Sequence, residues 1–532
     1  MSHTFKILVS GQVQGVGFRP YVYNLATEYL LGGTVSNNED GVIIYVSGTS
    51  EGIKKFYNTL INNPPPVSII NSSSIDEVDN IKYQDFKIIS SSKDGQVNLP
   101  LTPDFAICKD CKNEIINSKN RRHNYAFTTC VNCGPRWSIT ETFPFERQNT
   151  SIDDFLMCKS CNDEYTDPSN RRFHSQTNTC DDCGITFVFN DSQGKLVKTD
   201  QVFKTLAHKL SEGCIVAIKN TSGYLLCCNA EIGTAVKRLR RLKNRPNKPF
   251  AILYPSLRFL QNELEIKSEE VSVLKSTERP ITIISLKKYK GKIDIDAVAP
   301  GLRQLGVMLP YTGILQLLAN ELRFSIVATS GNIHGSPILS NRNDVEIKLN
   351  KVADYFLHHN LKITHPQDDS VLKISKKFSE PCLFRRSRGY APNFLDISLD
   401  SNQKILALGA DLKNSIAFYP NEHLYISQYI GNLENYDVYN RFLNEIYAFT
   451  TIFEIIPEVI LVDNHPNYQS TQQGMELAKN WNIEIYKVQH HKAHFASVLG
   501  VHKVFKPANI LGVVWDGTGY GEVGGIWGGG LF

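Results

Sequence analysis

The sequence predicts a multidomain protein in which an α+β domain, a cysteine-rich region and two α/β domains follow one another. Three observations lead there. A chain of 532 residues is too long for one core and implies about three or four domains. Strand-like and helix-like stretches alternate along most of it, with different rhythms near the two ends. Between these ends, eight of the twelve cysteines stand in Cys-x2-Cys pairs. Charge excludes some partners: 57 Lys and Arg barely exceed 53 Asp and Glu, a formal +4, so no basic field argues for nucleic acid. The N-terminus lacks a basic-then-apolar signal, and apolar stretches such as "IVAIKNTSGYLLCC" carry charge or turn residues well short of a membrane span. A cytoplasmic protein without membrane contact is expected.

Residues 1–91 read as a small split βαβ domain. Phe5–Ser10 and Val42–Ser47 alternate as strands, Pro20–Leu30 and Glu51–Asn62 as helices, and two further strand-like stretches lie near Ser68–Ile75 and Phe86–Ile89. In "SGQVQGVGFRP" three glycines precede Arg19 and a helix. Glycine takes positive φ and lets a ligand approach the backbone, so such a loop can turn N–H groups onto an anion. Arg19 adds a forked cationic donor, and Pro20 suits a first helical turn. The same residues also read as a glycine-rich turn with a solvated arginine. The polar run Ser90–Gln96 serves as a linker.

Residues 104–190 contain a repeat. "CKDCKNEIINSKNRRHNYAFTTCVNC" is followed fifty residues later by "CKSCNDEYTDPSNRRFHSQTNTCDDC", both Cys-x2-Cys-x18-Cys-x2-Cys with Asn-Arg-Arg in register. In a reducing compartment this spacing points to metal rather than to disulfides. Cys108, Cys111, Cys130 and Cys133, with Cys158, Cys161, Cys180 and Cys183, supply two closed tetrathiolate sets, which suit two structural zinc ions. Whether each repeat closes its own site or the repeats exchange knuckles is open at this point. Cys214, Cys227, Cys228 and Cys382 read as core or near-core residues.

Residues 200–388 resume strand–helix alternation. "LRRLKNRPNKPFA" sets Lys243, Arg245 and Lys248 after the basic helix Thr234–Leu242, and the apolar strand Ile326–Ser330 runs into Ser-Gly-Asn, with Ser330 and Asn332 at its end. With Lys219 these make either a nucleotide cradle or a solvated basic face. From residue 403 a fourth alternating pattern begins. His490 and His494 in "QHHKAH" lie four apart, on one helix face, and Asp516 ends an apolar strand before "GTGYG". They offer a divalent-metal site or a solvated histidine pair. The chain stops at "GGIWGGGLF", which reads as the middle of a turn and so as a truncated domain.

"VQGVGFRP", the doubled cysteine pattern, "KPFAILYP", "APGLRQLGVMLPYTGILQLLA", "ATSGN", "DDSV", "RRSRGYAP", "LALGADLKNS" and "VQHHKAH" occur in one order. That series resembles the hydrogenase-maturation carbamoyltransferase family HypF over essentially the whole chain. The resemblance implies a ferredoxin-like acylphosphatase domain, a double zinc-finger region, a YrdC-like α/β domain and part of an actin-like ATPase-type domain. It implies that Gln14, Gly15, Val16, Gly17 and Phe18 cradle a phosphoryl group, that Arg19 binds its oxygens, and that Asn37 holds the attacking water, with carbamoyl phosphate as substrate. Lys219, Lys243, Arg245, Lys248, Ser330 and Asn332 would hold ATP, with Mg2+, and a carbamoyl adenylate. His490, His494 and Asp516 would hold the metal of the transfer domain, and the carbamoyl group would pass to the C-terminal cysteine of HypE, on the way to the cyanide ligands of a nickel–iron site. Carbamate decomposes in bulk water, so an internal channel is expected. The chain departs from the family in "KNTSGY", in "HHKAH", and at Val523 and Gly530, where acidic residues are expected. A related pair of modules makes threonylcarbamoyl-adenosine in transfer RNA, but the first two regions argue against that alternative. A truncated chain restricted to acylphosphatase activity is another.

Overall fold

The computed structural model describes residues 3–38, 40–90, 101–395, 399, 401–421, 423–505, 509–522 and 524–532. Val523 and all of the expected linker but Ser90 lie outside them. Residues 3–90, 101–334 and 338–390 make one compact unit, and the described part of 391–532 makes another. Among the described residues no helix is long and apolar enough to cross a membrane.

The chain begins with β1 (His3–Gln12), α1 (Phe18–Glu28), β2 (Gly32–Asn38), β3 (Gly41–Gly48), α2 (Ser50–Asn62), β4 (Ile69–Val78) and β5 (Phe86–Ile88). The sheet order is β4-β1-β3-β2-β5, with β2 and β5 parallel and the other pairs antiparallel. Alternation puts Ile7, Val9, Val35, Ile44 and Val46 inward, against Val22, Leu25 and Ala26 of α1 and Ile53, Phe56 and Leu60 of α2. Each buried Val, Leu, Ile or Phe side chain contributes about 1.5–3 kcal/mol by leaving water, and the phosphate-loop candidate hangs between β1 and α1 on this core.

The cysteine region contains two short helices, α3 (Lys109–Ile116) and α4 (Lys159–Thr166), capped by Cys108 and Cys158. Directly after Cys183 comes β6 (Phe187–Asp191), which sequence reasoning left within the cysteine region. It is the edge of a ten-stranded sheet. That sheet continues through β7 (Val216–Asn220), β8 (Gly223–Asn229), β9 (Ala251–Leu253), β10 (Ile281–Ser285), β11 (Gln304–Met308), β12 (Ile326–Ser330), β13 (Tyr355–His359), β14 (Val371–Ile374) and β15 (Pro381–Arg385), ordered β15-β14-β10-β11-β9-β12-β8-β7-β13-β6. The helix Gly313–Glu321 is buried along most of its length, against α3 and the helix Val202–Ser211. Cys227 and Cys228 lie in the core, Cys214 is half-buried, and Cys382 is exposed on the edge strand β15, a correction to its core reading. An edge strand has one unpaired side, so its apolar residues need not be covered.

The second unit carries a six-stranded sheet in which Ile405–Ala407, Val459–Asp463 and Glu484–Val488 run parallel. The helices Tyr436–Phe453, Gln469–Trp481 and His490–Val501 belong to it. The glycine-rich terminal stretch is a strand, Ile526–Leu531, paired with Val513–Tyr520, where sequence reasoning expected a turn. Glycine weakens strand propensity but leaves the backbone donors and acceptors that form a ladder.

Candidate functional site

Gly15 and Gly17 have φ of 71° and 76°, a left-handed conformation that disfavours any side chain. They bend the chain from β1 into α1, whose N-cap, Gly17, offers no side-chain acceptor. The positive end of that helix is thus aimed from the loop. Gln14 Nε2 donates to the carbonyls of Asn38 and Gly41, at 2.8 Å each, and so fastens the loop to the β2–β3 turn beside Asn37. Asn37 is 2% exposed, and its Oδ1 has no partner among the described residues, an arrangement that fits a ligand or water in front of it. A cavity of about 30 Å3 is lined by Gln14, Gly15, Gly17, Phe18, Arg19 and Asn37 on one side. Val131, Arg136, Phe145 and His174 of the cysteine region line the other. The structure therefore brings the expected cradle residues together, apart from Val16, which is buried in the core beneath them. Arg136, Phe145 and His174 were missed, because nothing local marks residues that arrive from more than a hundred positions away.

Each cysteine repeat closes its own site. Sulfurs of the first set stand 3.5–3.9 Å apart (Cys111–Cys133 3.5, Cys108–Cys130 3.7, Cys130–Cys133 3.9 Å) and those of the second 3.7–3.8 Å apart. Four sulfurs at about 2.3 Å from a tetrahedral ion would lie roughly 3.8 Å apart, so both sets fit a closed four-thiolate centre. The Asn-Arg-Arg motifs serve the opposite repeat. Arg121 donates to Cys161 Sγ at 3.3 Å and Arg171 to Cys111 Sγ at 3.2 Å, while Arg122 pairs with Glu164 and Arg172 with Glu114.

In the ten-stranded sheet a cavity of about 260 Å3 is lined by Arg245, Lys248, Ser330, Thr329, Asp368 and Arg385 among others. Burial and the nearby Arg385 push the Arg245 guanidinium down to about 10, so it stays charged at neutral pH. The other two expected cations point elsewhere. Lys219 Nζ donates to the His359 and Leu361 carbonyls, at 3.0 and 2.8 Å, and burial pushes it down to about 8. Lys243, 1% exposed, donates to the Ser330 carbonyl at 2.6 Å and to the carbonyl and Oδ1 of Asn332. It shapes the Ser-Gly-Asn turn, and burial holds its pKa well below the ordinary lysine value. Thr329, Asp368 and Arg385 stand in the quoted motifs ATSGN, DDSV and RRSRGYAP but were not assigned to the site.

In the second unit, His490, His494 and Asp516 gather their ligand atoms within 4.8 Å of one another. His490 Nε2 lies 3.1 Å from Asp516 Oδ2 and 3.3 Å from His494 Nε2. Its other nitrogen, Nδ1, is 2.6 Å from Asp463 Oδ2, and that hydrogen bond raises the imidazole pKa. Asp463 ends a parallel strand and was not singled out from sequence. A carboxylate behind an imidazole fixes ring orientation and raises its basicity as a ligand.

Comparison with known proteins follows this division. Residues 5–88 match the family described as acylphosphatase, 107–140 and 157–189 the HypF finger, 208–387 the family described as telomere recombination (Sua5, YciO and YrdC), and 400–500 the HypF Kae1-like domain. A carbamoyltransferase HypF of Synechocystis is 39% identical over 99% of this chain and 68% of its own length. A probable carbamoyltransferase HypF of Methanocaldococcus jannaschii is 40% identical over 98% of this chain and 68% of its own. A crystal structure of full-length HypF in the phosphate- and nucleotide-bound form superposes with a TM-score of 0.94 at 38% identity, covering all of this chain and 68% of that one. The chain thus spans about two thirds of the length of these relatives.

Proposed function

We infer the activity from one premise: this chain belongs to the HypF carbamoyltransferase family. It is a carbamoyl-transferring enzyme with acylphosphatase activity. Within that activity we propose three linked steps. In the first, the loop Gln14–Phe18 and Arg19 hold the phosphoryl group of carbamoyl phosphate, and Asn37 positions a water that attacks phosphorus. The P–O bond to the carbamoyl group breaks, giving phosphate and carbamate. Charge neutralisation and placement are what hydrolysis of an activated acyl phosphate needs.

In the second step a carbamate oxygen attacks the α-phosphorus of ATP and pyrophosphate leaves. Arg245, Lys248 and Ser330 would face the phosphates with their Mg2+, while Lys219, Lys243 and Asn332 shape the walls. In the third, the thiolate of the C-terminal cysteine of HypE attacks the carbamoyl carbon and AMP leaves. His490, His494 and Asp516 would hold a divalent metal, which supplies positive charge beside the phosphate-bearing group of the transfer domain. The two four-cysteine sites would hold structural zinc, and the enzyme would work in the cytoplasm.

The observation that carries this reading is the cavity between the first two sites. It is lined by Asp104, Thr128, Thr129, Thr177, Thr179 and Arg388 among others. Its wall at Gly134 and Pro135 adjoins Arg136 of the phosphate cradle. At its other side Arg388 Nε donates to Asp369 Oδ1 at 2.8 Å, and Asp369 lines the nucleotide cavity. A cavity of about 30 Å3 at this place would shorten the exposure of carbamate to bulk water between the two sites. The test is release of pyrophosphate from ATP by the full chain: dependence on carbamoyl phosphate supports the reading, and release indifferent to it, or absent, overturns it.

A further inference from the structure

We propose that the cysteine-rich region walls the phosphate cradle, and that Val131, Phe145 and His174 make this wall the determinant of acyl-group size, admitting a carbamoyl or acetyl phosphate and rejecting an aromatic acyl phosphate. The inference rests on the reading of Gln14–Phe18 and Arg19 as an acyl-phosphate site, and it assigns specificity to residues outside that domain.

Four observations carry it. The lining of the cavity is divided: phosphate-binding candidates come from residues 13–37, and every other lining residue comes from residues 131–176. The contact between the two sides is tight. A Cβ placed on Gly15 would stand 3.1 Å from the Phe145 ring, and one placed on Gly17 would stand 2.7 Å from Cβ and one methyl of Val131, so at these two glycines the loop lies directly against the wall.

The wall is also fixed. Arg136, 2% exposed, donates from Nε to the Gly15 carbonyl at 2.6 Å and from its two Nη atoms to the carbonyls of Cys130, Val131, Cys133 and Pro135, at 2.8–3.3 Å. This guanidinium ties the loop to the knuckle that carries two of the metal-site sulfurs, and it also lies over the Phe145 ring, 5.5 Å from its centroid. Finally, the space between loop and wall is small. About 30 Å3 is only two to three times what one water occupies on the same scale, ~10–15 Å3.

With the phosphoryl group against Arg19, the acyl group must extend toward Phe145, Val131 and His174. A carbamoyl or acetyl group adds three heavy atoms there, and a benzoyl group adds a ring that a rigid wall cannot yield to. His174 contributes a neutral polar edge, since burial and the neighbouring Arg19 push its imidazole down to about 4.

The experiment measures kcat/KM of the full chain for carbamoyl phosphate, acetyl phosphate and benzoyl phosphate, by phosphate release. The wild type is expected to disfavour benzoyl phosphate by at least a hundredfold against carbamoyl phosphate, and Val131→Ala with Phe145→Ala to narrow that ratio to below tenfold. The ratio is taken on one preparation, so the fraction of folded enzyme cancels. Should the double variant hydrolyse neither substrate, His174→Ala alone is used, and the same narrowing is required. A wild-type ratio near one, or a ratio unmoved by the substitutions, overturns the wall as selector while leaving the acyl-phosphate site standing. A wild type that hydrolyses none of the three overturns the site itself, and the wall with it. Arg19→Ala must lower every rate observed by at least a hundredfold, which assigns the activity to this cavity.

Discussion

Arg19 Nη1 stands 3.4 Å from Glu146 Oε1, a carboxylate 127 positions further along the chain. The arginine side chain is 11% exposed, so a counter-charge is needed to keep it oriented in the cavity until a phosphoryl group arrives.

Arg19→Ala is therefore expected to lower kcat/KM for carbamoyl phosphate by at least a hundredfold, about 3 kcal/mol of transition-state stabilisation. Asn37→Ala should lower kcat about tenfold or more with KM within a factor of about two, because it places water rather than phosphate. Steady-state phosphate release checks both; a raised KM at unchanged kcat would remove Asn37 from that role.

The two kinds of cation at the nucleotide cavity should separate in calorimetry with ATP. Arg245→Ala removes a lining charge, so affinity should fall about tenfold and depend less on salt. Lys243→Met removes the tie to Ser330 and Asn332, so affinity should fall while its salt dependence stays as in the wild type. Equal salt responses in the two variants would contradict the division.

Asp463→Asn keeps the size of the residue behind His490 but weakens its hold on the ring. Manganese or cobalt affinity of the His490, His494 and Asp516 site should fall by about 10- to 100-fold, read by metal titration. Unchanged affinity would make the carboxylate irrelevant to the ligand.

Metal analysis should find two zinc ions per chain, and a strong chelator should unfold the cysteine region first, since ligand binding is part of its folding free energy. Glu164→Ala leaves the buried Arg122 without its carboxylate, which should destabilise the region by about 3–5 kcal/mol. Thermal melts of the zinc-loaded protein measure this directly.

Glu445, 4% exposed, has its carboxyl pushed up from near 4.5 to about 7 by burial. Between those pH values the unfolded chain has lost this proton and the folded chain keeps it, so stability falls as pH rises from about 4.5 to 7, then levels off. The loss is about 3 kcal/mol. Glu445→Gln should flatten this slope, raising the melting temperature of the second unit at pH 8 relative to the wild type and leaving it little changed at pH 4.

What sequence shows is what neighbours along the chain decide. The turn glycines 15 and 17, the helix around Pro20 (expected over Pro20–Leu30, found over Phe18–Glu28), the spacing of eight cysteines and the His490–His494 pair all act through local geometry. Arg136, Phe145, His174 and Asp463 reach their sites by tertiary packing and carry no local mark. Lys243 shows the converse. Its place among basic residues suggests a phosphate ligand, yet burial turns its ammonium onto the Ser-Gly-Asn backbone. The glycines of Ile526–Leu531 favour a turn by composition, and a ladder partner overrides them. Strands β13 and β14 escaped because each is short and is paired to strands far away in sequence, β7 and β10, and β15 is the short, exposed second arm of a hairpin with β14.

The exchanged arginines have the logic of point-group symmetry. A shift of fifty positions turns Arg122 into Arg172 and Glu114 into Glu164, so the pairs Arg122–Glu164 and Arg172–Glu114 are one contact seen twice about a pseudo-two-fold axis. The same operator relates Arg122 Nε on the Thr179 carbonyl to Arg172 Nε on the Thr129 carbonyl, both 3.0 Å. This is an isologous interface, in which one patch meets its own copy, enclosed within a single polypeptide. Each repeat carries both faces of that interface, so the region is in effect a covalently fused homodimer, and a substitution that improves one face has its full effect only when it is also made fifty residues away.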